Sequence, residues 1–78
     1  MVMYEGREAK HVYGDVYYMW RGEWSDPCYV LKDSSEDFLG QEVIHGREVN
    51  YWEVWDMYED GYEPTPQEIA EDVVDLAY

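Results

Sequence analysis

No lysine or arginine occurs between Glu48 and Tyr78, although ten residues of that stretch are Asp or Glu. Like charges one helical turn apart repel. The stretch can fold only into elements that gather apolar side chains on one face and leave the carboxylates to water. The imbalance extends to the whole chain: 19 Asp and Glu face five Lys and Arg, a formal net charge of -14. Solubility of a small domain needs a magnitude of only about 2–8. The excess costs self-repulsion in the compact state, and a basic partner, a high-salt cell or cation binding would each account for it. Direct binding to nucleic acid is excluded as an expectation because it needs a basic stripe. An anionic membrane surface is disfavoured on the same ground.

Seventy-eight residues make one acidic domain, 1–78. Cys28 is the sole cysteine, so neither an internal disulfide nor a cysteine zinc site can staple it. The core has to come from packing. Aromatic residues make up 18% of the chain, including nine Tyr and four Trp, too many for a disordered acidic tail. No apolar leader follows Met1 and no run reaches the length of a membrane span. The expected compartment is the cytoplasm, which a lone cysteine fits.

The expected fold is α+β, a small antiparallel sheet packed with two C-terminal helices. Met1 to Tyr4 reads as an edge strand before a Glu5-Gly6 turn. Lys10 to Trp20 reads as strands broken at Gly14-Asp15. Cys28 to Leu31, after the Asp26-Pro27 turn, reads as a buried strand. Asp33 to Gly40 reads as a loop or a single helical turn. Glu42 to Val49 reads as a tight hairpin turning at His45-Gly46. Asn50 is a helix N-cap, with the helix expected over about 51–60 and Gly61 at its C-terminal cap. Tyr51, Val54, Trp55 and Tyr58 would share its apolar face; a strand is the rival reading of this segment. Thr65-Pro66-Gln67-Glu68 is a capping box that opens a helix over 66–77. Its apolar face would be Ile69, Val73 and Leu76, flanked by Ala70, Val74 and Ala77.

The candidate partner-binding residues are carboxylates. Glu68, Glu71, Asp72 and Asp75 fall within about 100° of arc on the second helix. Their spacing of about 5–6 Å is similar in scale to successive phosphates of one nucleic-acid strand. Glu53, Asp56, Asp60 and Glu63 would extend that row if the helices are adjacent. Asp33, Glu36 and Asp37 form a further cluster. An ordinary solvated face is the competing reading, but such a face normally interleaves both signs of charge.

Other chemistry finds little footing. Asp56 to Gly61 resembles the start of a calcium loop, but Tyr58 stands where Asp or Asn belongs and Gln67 where the bidentate Glu belongs. Carboxylate pairs of the glycosidase type are inevitable among so many acids and carry no specificity. His11, His45 and Cys28 read as structural residues. No catalytic residue, metal site or cofactor is expected. Trp20, Trp24, Trp52 and Trp55 serve either as core or as interface anchors.

In short length, abundant carboxylates, scarce basic residues and lack of an active site, the chain resembles small phage proteins that block host defence by imitating nucleic acid, of the antirestriction and anti-CRISPR type. The resemblance is one of general character and transfers no residue assignments. It implies an inhibitor of a basic nucleic-acid-binding protein or complex, acting in the host-cell cytoplasm if phage-encoded. The alternative is a non-catalytic adaptor that binds a partner through exposed aromatics. A homodimer is compatible with either.

Overall fold

In a computed structural model describing Met1–Tyr78, five strands are followed by two helices: β1 (Val2–Tyr4), β2 (Arg7–Tyr13), β3 (Val16–Met19), β4 (Cys28–Phe38), β5 (Gln41–Asn50), α1 (Tyr51–Trp55) and α2 (Pro66–Ala77). The α+β class, the β2–β3 turn at Gly14-Asp15 and the second helix agree with the sequence reading. The sheet is not open. Successive strands pair antiparallel in chain order, and β1 then pairs parallel with β5, Val2 opposite Glu42 and Met3 opposite Val43, closing a barrel. The expected edge strand is thus the seam of a ring.

Alternation along β3 and β4 builds two cores. Tyr17, Met19, Cys28 and Val30 point into the barrel with Tyr4, Ala9 and Ile44. Val16, Tyr29 and Leu31 point outward, where with Val49 they meet Val54, Ile69, Ala70 and Val73 of the helices. Both faces of these strands are therefore covered, which is why Cys28–Leu31 is a continuous apolar run. Val30, Ile44, Val54 and Val73 are fully buried, each contributing about 1.5–3 kcal/mol relative to exposure.

Two sequence expectations fail along the β4–β5 hairpin. Asp33 to Phe38 is strand, paired through Ser34–His45 to Phe38–Gln41, and the chain reverses at Leu39-Gly40, where φ is 52° and 80°. His45-Gly46 lies inside β5. Gly46 is small because the Leu31 carbonyl of β4 occupies the space a side chain would take. The register slips between Lys32 and Ser34, and the Lys32 amide turns away to the Asp15 carbonyl at 2.8 Å. A backbone crossing, not a turn, is what requires that glycine.

The first helix is shorter than expected, ending at Trp55 rather than near residue 60. Asn50 does cap it, its side chain accepting from the Trp52 amide at 2.9 Å. Asp56, Glu59 and Asp60 then place negative charge where the helix dipole favours positive, and no basic residue occupies the last turn. Gly61, with φ 85°, serves the separate Glu59–Tyr62 turn. The expected apolar face survives: Val54 is buried in the outer core, and Tyr51, Trp55 and Tyr58 pack against that core. In α2 the Thr65/Glu68 capping box is complete. Arg47 of β5 donates to the Ala77 carbonyl at 2.8 Å, supplying the positive charge the helix end lacks. Leu76 is exposed rather than part of the core.

Candidate functional site: acidic surfaces around the two helices

The carboxylates expected in one helical row divide between α2 and the surroundings of α1, and the further cluster stands apart on β4. On α2 they part according to which flank of the helix they occupy. Glu68 and Asp72, one turn apart, face the segment after α1. There Asp72 accepts a hydrogen bond from the Tyr58 hydroxyl, and Glu68 accepts one from the Tyr62 hydroxyl at 2.6 Å. The bond from Tyr62, together with the Thr65 amide, holds the Glu68 carboxyl below its usual range. Burial first, and then the hydrogen bond to Asp72, push the Tyr58 phenol up. Glu71 and Asp75 stand exposed on the other flank. They rim a groove of about 360 Å³ whose wall includes Val16, Leu31, Ala70 and Val74, with Asp15 of the β2–β3 turn on its lip.

Around α1, Glu53, Asp56, Asp60 and Glu63 are all exposed. Asp56 and Asp60 converge with Glu59 on a cleft of about 250 Å³, walled by Trp52, Trp55, Tyr58 and Tyr62; Glu53 and Glu63 lie outside it. The third group belongs to β4. Asp33 is exposed at the register slip, while Glu36 and Asp37 border a hollow shared with Glu42. Beyond Leu31 this limb of β4 pairs with β5 alone. Charges on an otherwise open strand edge keep other strands from adding to it, and Asp33, Glu36 and Asp37 are placed for that role. β5 runs from this group to α1, up to roughly 30 Å at ~3.3 Å per residue, so the β4 cluster is not continuous with the helical ones.

The ion pairs all involve carboxylates of the first fifty residues. Arg21 pairs with Glu48 and, at 3.6 Å, with Glu5; Lys32 pairs with Glu42 at 3.8 Å; His45 meets Glu36 at 3.3 Å. No carboxylate from Glu53 onward has a cationic partner. Glu48 also accepts from the Tyr4 hydroxyl at 2.8 Å, so Arg21 ties the β3–β4 connection to the barrel. Burial pushes the Cys28 thiol up, partly opposed by Arg21. His11 contacts the Gly14 carbonyl at 2.9 Å. No three His, Cys, Asp or Glu side chains form a group that could hold a metal ion, and no helix is long and apolar enough to cross a membrane.

The tryptophans divide as well. Trp55 is half-buried and donates its indole N–H to the Tyr29 hydroxyl at 2.9 Å. Trp20, Trp24 and Trp52 are exposed, Trp24 at 96%. Sequence reasoning passed over Asp15 and Glu59, which complete the two acidic concavities, and over the tyrosine hydroxyls that engage Glu68 and Asp72. Asp15 carried only a turn signal, and the tyrosines read as apolar surface.

Against family models, curated proteins and solved structures the chain shows no match.

Proposed function

We propose that this protein is a non-catalytic inhibitor of a nucleic-acid-binding defence complex, a CRISPR effector or a restriction enzyme, whose basic groove it occupies by presenting carboxylates in place of backbone phosphates. The observation that carries the reading is the unneutralised surface of the second half. Glu53, Asp56, Glu59, Asp60, Glu63, Glu71 and Asp75 are exposed, and none meets a Lys or Arg of this chain. Glu53, Glu71 and Asp75 are carried on helices, and Asp56, Glu59, Asp60 and Glu63 on the segment between them; a partner's lysines and arginines would neutralise them. Long-range attraction between such surfaces speeds encounter and weakens as salt is added.

The test is displacement of labelled DNA or RNA from candidate effectors at low salt. Wild type should displace it, and Glu71→Lys with Asp75→Lys should displace at least tenfold less effectively. These two positions are chosen because reversing Asp72 would also disturb Tyr58. Unaltered nucleic-acid binding in the presence of excess protein would sink the reading.

A second reading, an adaptor that docks through aromatics, is favoured by Trp24 and Trp20 on the β3–β4 connection, exposed at 96% and 55%. Such a contact would hardly respond to ionic strength, and Trp24→Ala would abolish it while leaving displacement intact.

A further inference from the structure

We propose that the cleft between α1 and the Glu59–Tyr62 turn is a receptor for a single arginine side chain of the basic partner. The inference rests on the inhibitor reading for the source of that arginine; the chemistry of the cleft stands by itself.

Four aromatic rings, Trp52, Trp55, Tyr58 and Tyr62, wall the cleft, and Asp56, Glu59 and Asp60 border it. The face of an aromatic ring attracts a cation, and a carboxylate pairs with one. Arginine matches both at once. Its planar guanidinium stacks on rings, forks onto carboxylates and is less strongly hydrated than an ammonium. The volume of about 250 Å³ suits one long side chain.

Three of the four rings are held before any ligand arrives. Tyr58 and Tyr62 stack with centroids 5.7 Å apart at 27° and donate their hydroxyls to Asp72 and Glu68. Trp55 stacks on Tyr51 at 5.6 Å and is held by its bond to Tyr29. Immobilised rings lose little further freedom on binding. A phenol that donates to a carboxylate is also polarised toward greater electron density on the ring, which strengthens its pull on a cation. Glu68 and Asp72 therefore act here as anchors of the wall and not as contacts.

Elsewhere in the fold this chain fills comparable arrangements with its own cations. Arg47 lies over the Tyr78 ring at 4.9 Å, and Lys32 lies 6.0 Å from the centre of Tyr17. The cleft has more rings and more carboxylates than either, and no Lys or Arg among its lining residues.

The experiment follows the four indole N–H signals of the 78-residue chain by NMR during titration with N-acetyl-arginine amide into the millimolar range. The neutral isostere N-acetyl-citrulline amide and matched sodium chloride serve as controls. Trp52 and Trp55 should shift saturably with the arginine derivative alone, and Trp20 and Trp24 should stay in place. Trp52→Ala, at an exposed position, and Asp60→Asn should each weaken the response at least fivefold. Equal shifts with citrulline, equal movement of all four indoles, or an unchanged affinity in both variants would overturn the proposal. The nucleic-acid displacement assay separates this inference from the reading beneath it. If wild type displaces nucleic acid and Trp52→Ala does so equally well, the arginine receptor falls and mimicry stands. If arginine binds as expected but wild type displaces nothing, the cleft stands as an arginine site and mimicry falls.

Discussion

Tyr58 donates its phenolic hydrogen to the Asp72 carboxylate, joining the segment after α1 to the middle of α2. The bond takes one carboxylate out of the solvent-facing set and gives it to the architecture. With Tyr62 and Glu68 it forms two parallel ties between elements that otherwise meet through Val54, Ile69 and Val73.

Tyr58→Phe should therefore cost stability even though it removes a single oxygen. A hydrogen bond to a charged group contributes about 1.5–3 kcal/mol when well shielded. Asp72 is only half-buried and can regain water, so a loss of about 1 kcal/mol is expected. Urea denaturation of the variant beside Asp72→Ala, which leaves no acceptor for the phenol, checks this. The double variant should cost little more than either single one, because both remove the same bond.

Alkali should unfold the protein. The phenols of Tyr4, Tyr18, Tyr29 and Tyr58 are pushed up, each foremost by burial; Tyr62 is pushed up chiefly by its bond to Glu68. A group that holds its proton more tightly when folded contributes stability that is complete below its unfolded pKa, about 10 for tyrosine. That contribution is lost as pH rises from there toward the folded value. Thermal melts should thus be insensitive to these groups up to about pH 9 and fall steeply above about pH 10. Tyr58→Phe should flatten the fall.

Leu39 is 87% exposed and sits at φ 52°, followed by Gly40 at φ 80°. Two-residue hairpin turns with both φ values positive favour Asn-Gly, and a branched apolar side chain gains nothing there. Leu39→Asn should raise stability by about 0.5–1 kcal/mol, seen as a higher urea midpoint with an unchanged slope.

Gly46→Ala should act in the opposite direction and more strongly. A methyl group would run into the Leu31 carbonyl and crowd the Lys32 backbone. Backbone atoms cannot yield as a flexible side chain does, so a loss of about 3 kcal/mol or more is expected. Chemical denaturation would measure it, and any variant that folds should show disturbed amide shifts at Leu31, Lys32 and Asp15.

The parts of the fold that were legible in sequence are those set by local chemistry. Thr65, Pro66 and Glu68 specify a helix start by themselves, and Gly14-Asp15 marks a turn between two strand-forming runs. Interactions over longer range left weaker marks. Gly46 looked like a turn residue because nothing local reveals a backbone crossing from Leu31. Asp33 to Phe38 looked like a loop because a strand limb with exposed side chains lacks apolar alternation. The candidate site was legible in composition and not in arrangement. Counting charges located the unpaired acids, but only the packing of α1 against α2 turned Glu68 and Asp72 toward tyrosines and assembled Trp52, Tyr62 and Asp60 around one cleft.

The barrel's parallel seam has a consequence for how the molecule assembles. Every other ladder joins strands that are neighbours along the chain, so β2 to β5 can zip hairpin by hairpin with short closures. Val2 and Met3 must find Glu42 and Val43, some forty positions away, and they form only two rungs when they do. The clasp that completes the ring should thus be the last to engage and the first to release. Native-state hydrogen exchange should find β1 opening while the remaining strands stay shut.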